Sequence, residues 1–207
     1  SFGGFEFDYI FVSAQRRRGE MEKKMYKDLK NTIINTSYKL FMENGYDQTT
    51  VNDICAACSI TKTTFYRYID SKEELLSFFF DDINEKIDEL KLNAETHTDY
   101  VQQIIDAFDL IIAHMLQFQQ ELYCQLYISN LKENKGTFNE IDALKEVVID
   151  LILKAQKANQ ISNRNEPLVI YNVLEHICYG CGIQWCLHQI QDIREEFITS
   201  LKAILII

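Results

Sequence analysis

Helix breakers are scarce in this chain: one proline and seven glycines stand among 207 residues. A sandwich or barrel of short strands needs turn residues every few positions, and low-complexity disorder needs more proline and glycine than this. Such a composition leaves long helices. No run is long and apolar enough to span a bilayer. The longest uncharged stretch, His176 to Gln191, holds three glutamines and two histidines and is too short. Glycine-rich phosphate loops, metalloprotease pairs and nucleophile elbows are all missing, so nothing argues for an enzyme. Six cysteines (Cys55, Cys58, Cys124, Cys178, Cys181 and Cys186) in a helical chain of this size do not resemble a disulfide framework, and reduced thiols in the cytoplasm are the expectation.

A positive balance is missing too. Formal net charge is −10, with 47% hydrophobic and 25% charged residues, as in a globular protein. The deficit is uneven. From Met21 to Leu75 there are eight basic and eight acidic residues, whereas from Leu76 to Ile207 there are ten basic and twenty acidic. A nucleic-acid contact needs only a local basic face, so the first third remains open to that role.

The most informative stretch is Thr49 to Leu75, TTVNDICAACSITKTTFYRYIDSKEEL. Val51, Ile54, Cys55 and Cys58 recur at helical spacing and predict a first short helix with one buried face. Thr50 is placed to cap it, with Asp53 in the capping-box position. Ser59-Ile60 is a turn. Thr61 caps a second helix whose Phe65 and Ile69 face inward, while Lys62, Thr63, Thr64, Tyr66, Arg67 and Tyr68 point outward. Ser71 to Glu74 opens a further helix. An outer face of hydroxyls, phenols and cations on a short helix suits the DNA major groove. A helical hairpin with a solvated polar side has the same spacing, and the pattern alone leaves both open.

The longer run resolves more. Ile33-Ile34, Leu40-Phe41, Gly45-Tyr46, Thr50-Val51, Asp53-Ile54-Cys55, Ile60-Thr61-Lys62, Thr64 to Ile69 and Ser71-Lys72-Glu73 with Leu75 resemble, in order and without a gap, the N-terminal domain of the TetR family of bacterial transcriptional regulators. Thr36-Ser37 replace the usual alanine pair, Cys58-Ser59 the frequent Ala-Gly of the turn, and Thr63 a common small residue. The resemblance implies an all-α fold of about nine helices: a three-helix DNA-binding head over residues 21–71 and a larger regulatory and dimerisation body over 72–207. It implies a ligand-responsive repressor acting as a homodimer on a palindromic double-stranded operator. Thr61, Lys62, Thr63 and Thr64 would approach bases. Thr50, Tyr66, Tyr68 and Lys72 would hold phosphates, with Arg67 on the same face. The alternative is a helical interaction or ligand-sensing protein that keeps the head without regulating a promoter; the neutral charge of the head favours it.

Residues 1–20 fit neither part and read as an extension or disordered leader, with Arg16, Arg17 and Arg18 as a minor-groove arm in the lesser alternative. Helix one is expected from Tyr26 to Asn44, with Leu29, Ile33, Leu40 and Phe41 buried and Gly45 at its end. A fourth helix, from Lys72 to about Asn93, carries Leu76, Phe79, Phe80, Ile83, Ile87 and Leu90 and corresponds to the family's connecting rod. Further apolar stripes mark the helices of the body. In the family the last two helices pair between subunits, which implies Cys178, Gly180, Cys181, Gly182, Trp185, Phe197 and Leu201 as the dimer interface; intrachain packing could use the same glycines. A small apolar or aromatic ligand would lie among Phe78, Phe108, Met115, Phe118, Tyr123, Tyr127, Tyr171 and Trp185, with His114, Glu121 and Gln125 as polar partners, although such stripes are more often plain core. Cys178, Cys181, His176 and His188 have metal-ligating chemistry, but groups strung along one helix do not converge on one ion. Neither a metal nor a cofactor is expected. Cys55 and Cys58 read as small core residues, with a thiol redox sensor as the lesser alternative.

Overall fold

The computed structural model describes residues 4–80, 83, 86, 87, 98–134, 136–138 and 141–206, and side chains from residue 19 onward except at 142. Its elements are α1 (Gly4–Asn44), α2 (Val51–Ala57), α3 (Lys62–Tyr68), a 3-10 helix (Glu74–Phe78), α4 (Tyr100–Gln117), α5 (Gln119–Lys132), α6 (Asp142–Lys157), α7 (Pro167–Cys186) and α8 (Ile193–Leu205). No strand occurs among the described residues, so the fold is all-α. The chain divides into two compact units, Ser1–Leu75 and Leu76–Ile207.

Helix α1 starts at Gly4 rather than at the expected Tyr26. The stretch between is free of proline and rich in Arg, Glu, Lys and Met, which lose little rotamer freedom in a helix. The helix ends where the sequence indicates, with Gly45 at φ 86° and its N–H returning 2.9 Å to the Phe41 carbonyl. The buried face of α1 is Ile33, Ile34, Ser37, Tyr38 and Phe41. Leu29 and Leu40, expected inside, are only half-buried. Ser37 is tolerated because its hydroxyl donates to the Ile33 carbonyl at 2.7 Å, and Tyr38 donates to the Leu75 carbonyl at 2.6 Å. Ile54, Cys55, Phe65 and Ile69 complete the core of the head. Each large apolar side chain there contributes about 1.5–3 kcal/mol of burial.

The rod expected from Lys72 to about Asn93 falls largely outside the described residues, Leu90 included. What is described begins as the 3-10 helix, with Leu76, Phe79, Ile83 and Ile87 buried and Phe80 half-buried. In the second unit, α4 packs on α5, α6 and α8, and α7 packs on α5, α6 and α8. The core is a chain of rings: Phe79 to Phe118 and Tyr123, Tyr123 to Trp185, and Phe108 to Tyr171 and Phe197, with centroids 4.9–6.3 Å apart.

With so few glycines, helix stops fall to other residues. Ser59, Asn159 and His188 each adopt φ between 54° and 57° just past α2, α6 and α7. The following N–H in each case reaches back five residues, Ile60 to Cys55, Gln160 to Ala155 and Gln189 to Gln184, all at 2.9 Å. These are Schellman closures made without glycine.

Candidate nucleic-acid interface and effector cavity

Caps set the two short helices of the head. Thr50 Oγ1 accepts from the Asp53 N–H at 3.3 Å, and the Asp53 carboxylate accepts from the Thr50 N–H at 2.8 Å and its hydroxyl at 2.6 Å. These bonds hold the Asp53 carboxyl below its ordinary 3.8. Thr61 Oγ1 accepts from the Thr64 N–H at 3.1 Å and shares a hydroxyl contact of 3.0 Å with Thr64. Phe65 is fully buried and fixes the rotation of α3. That rotation leaves Thr61, Lys62, Thr63, Tyr66 and Arg67 exposed on one end and flank, and Thr64 half-exposed. Tyr66 keeps half of its surface open.

Two residues expected at phosphates serve the head itself. Lys72 turns inward: its ammonium donates to the carbonyls of Tyr46 at 2.9 Å and Thr49 at 3.1 Å and sits 4.1 Å over the Tyr46 ring. It ties the exit of α3 to the loop between α1 and α2, because those carbonyls lack helical partners and the cation supplies donors. Tyr68 stacks on Tyr26 of α1 at 4.3 Å, and the Tyr26 hydroxyl donates to the Arg67 carbonyl at 3.4 Å. The stack braces α1 against the end of α3.

In the second unit two of the expected pocket residues, Phe108 and Tyr171, line a space of only about 20 Å³. Phe108, Met115, Phe118, Tyr123, Tyr171 and Trp185 are buried, the aromatic ones in ring-on-ring contacts, and Phe78 is half-buried. His114 is buried with Nε2 on the Phe79 carbonyl. A cavity of about 620 Å³ lies instead between α5 and α7. It is lined by Cys124, Tyr127, Ile128, Asn130 and Leu131 of α5, by Asn134 and Phe138 of the following loop, and by Tyr179, Ile183, Cys186 and Leu187. Of the expected set only Tyr127 takes part. The described lining carries no charged side chain. Tyr127 donates to the Tyr179 carbonyl at 3.0 Å, Tyr179 to the Phe138 carbonyl at 3.3 Å, and Asn130 to Leu126 O at 2.9 Å and Thr137 Oγ1 at 3.0 Å. The available signal was Ile128 and Leu131, apolar residues off the Leu122–Leu126 core stripe of α5 and both exposed.

The expected dimer residues separate in the same way. Cys178, Cys181, Gly182, Trp185, Phe197 and Leu201 are buried within the chain. A Cβ on Gly182 would come within 2.9 Å of the Tyr127 hydroxyl and 3.1 Å of Tyr123, so this glycine serves intrachain packing. Gly180 is different: nothing lies within 4 Å of its would-be Cβ. At 100° per residue it shares the outward face of α7 with Val169, Val173, Ile183 and Leu187, all exposed.

A capped helix-turn-helix head, joined in sequence to an all-helical unit with an apolar cavity, defines a DNA-binding regulator class. Residues 33–77 match the family model of bacterial regulatory proteins, tetR family. The chain is 33% identical over 93 residues to the HTH-type transcriptional regulator YuxN of Bacillus subtilis, covering 42% of this chain and 32% of that protein. It is 29% identical over 147 residues to IcaR of Staphylococcus epidermidis, the negative transcriptional regulator of the biofilm operon icaADBC, covering 60% of this chain and 78% of IcaR. The TetR-family repressor FadR of Thermus thermophilus, solved with lauroyl-CoA, superposes with a TM-score of 0.64 at 17% identity over 85% of this chain and 93% of that one. Residues 33–77 are thus the helix-turn-helix domain of the TetR family of bacterial regulatory proteins.

Proposed function

We propose that this chain is a homodimeric repressor of the bacterial cytoplasm, which binds a palindromic operator through α2 and α3 and releases it when an uncharged apolar molecule fills the α5–α7 cavity. The observation that carries the proposal is the outer face of α3. Buried Phe65 aims Lys62, Thr63, Tyr66 and Arg67 outward behind a capped N-terminus, which is the arrangement a groove-reading helix needs. The neutral head then predicts weak non-specific affinity and strong reliance on these contacts. The outward face of α7 at Val169, Val173 and Gly180, which does not line the cavity, supports a second copy as its cover. IcaR is a negative transcriptional regulator, and FadR is a TetR-family repressor solved in complex with lauroyl-CoA. Release requires the ligand to prefer the conformation that binds DNA less well.

The test is binding to DNA from upstream of the chain's own gene, against random DNA, across a salt series. Lys62→Ala and Tyr66→Ala should each lose at least tenfold in specific affinity, while circular dichroism and dimer mass stay unchanged. Full affinity in both variants would refute this reading face. Binding no better than to random DNA at every salt would favour the interaction-protein alternative.

A further inference from the structure

Two thiols stand side by side at the wall of the cavity. Cys124 comes from α5, Cys186 is the last residue of α7, and both line the space. The Cys124 thiol donates to the Cys186 carbonyl oxygen at 3.7 Å, which brings the two residues into contact across α5 and α7. They differ from Cys178, which is buried in the core and pushed up to about 12 by that burial; Cys124 and Cys186 are both half-exposed. Around them the Tyr127 and Tyr179 hydroxyls already donate to carbonyls. The thiols are therefore the reactive chemistry of this wall. Burial first, and then the neighbouring Cys124 sulfur, push the Cys186 thiol well up. A divalent metal would require two thiolates in an apolar site, and no cluster of three metal-ligating side chains occurs among the described residues. Chemistry that ends in a neutral product suits the site better.

We propose that Cys124 and Cys186 form a bidentate capture site for an uncharged, apolar molecule carrying a trivalent thiophilic centre, of the organoarsenic(III) type. With an arsenoxide, both S–H bonds and the arsenic–oxygen bond break and two arsenic–sulfur bonds form. The two thiol protons leave with the oxygen as one water. Arsenic stays trivalent, so no oxidant or reductant is consumed. The organic group lies against Ile128, Leu131, Ile183 and Leu187. The regulatory role of this capture rests on the effector-cavity reading above, but the capture itself requires no DNA.

The probe is phenylarsine oxide, added to the reduced full-length chain. One equivalent should protect two of the six cysteines from alkylation, and a dithiol but not a monothiol should reverse it. Cys124→Ser and Cys186→Ser should each weaken binding by about 100-fold or more, because the second bond is intramolecular. Cys58→Ser should bind as the parent does. The proposal is overturned if either single variant keeps the parent affinity, if Cys58→Ser abolishes binding, or if the folded parent does not bind. Operator binding, measured separately, tests the repressor reading, so either can fail while the other stands.

Discussion

Two glycines two residues apart in α7 should respond to the same substitution with opposite sign. Glycine in a helix interior costs about 1 kcal/mol relative to alanine. At Gly180 a Cβ meets nothing within 4 Å, so Gly180→Ala should return that amount to the stability of the folded chain. At Gly182 the same methyl lands 2.9 Å from the Tyr127 hydroxyl and 3.1 Å from Tyr123. Tyr127 is not free to swing, since its hydroxyl donates to Tyr179 O, and Tyr123 is fully buried between Phe79 and Trp185. Overpacking costs about 1–3 kcal/mol, and displacing the Tyr127 hydrogen bond adds about 1 kcal/mol. After the propensity gain, Gly182→Ala should destabilise by about 1–3 kcal/mol. Urea unfolding at several protein concentrations separates chain stability from dimer affinity. The same series examines the outward face: Gly180→Ala should weaken the dimer while stabilising each chain. If Gly182→Ala stabilises as much as Gly180→Ala, the close approach to the tyrosines is wrong. If Gly180→Ala leaves dimer affinity unchanged, this face of α7 is not the interface.

Ser59 holds φ 54° in the turn between α2 and α3, so Ser59→Gly should stabilise the head by roughly 0.5–1 kcal/mol, net of the extra freedom glycine gains on unfolding; a lower thermal midpoint would contradict this. Asp53 is held below 3.8 by its bonds to Thr50. Its carboxylate therefore supports α2 at neutral pH, and the support is lost as pH falls from about 4 through the depressed value. Thr50→Ala should remove that acid dependence and cost about 1 kcal/mol at pH 7, read by unfolding at pH 7 and pH 3. The Tyr46 hydroxyl is buried without a hydrogen-bond partner among the described residues, and burial raises its pKa. Tyr46→Phe should be neutral or stabilising by up to about 1 kcal/mol; a loss larger than that would show a partner in solution.

Local signals carried the head well. Thr50 and Thr61 cap as their spacing indicates, Gly45 ends α1, and Phe65 and Ile69 are buried, because caps and helical periodicity involve neighbours in sequence. The start of α1 was not legible, since propensity alone sets no boundary where neither proline nor a capping box marks one. The cavity was not legible either. Tyr123 and Tyr127 sit one helical turn apart on α5, yet the first is core and the second is wall; packing across α7 makes that difference. Gly180 and Gly182 show the same limit, because what a glycine makes room for belongs to another helix or another chain.

Lys62 and Lys72 are ten positions apart and chemically identical, but only the first has its ammonium open to a ligand. The second is a clasp, gripping two carbonyls of the loop before α2. In a genetic screen for loss of operator binding, both positions would score alike. Only a readout of folding separates them: a charge-removing acylation of Lys72 should loosen the head itself, whereas the same modification of Lys62 should leave an intact head that no longer grips its target.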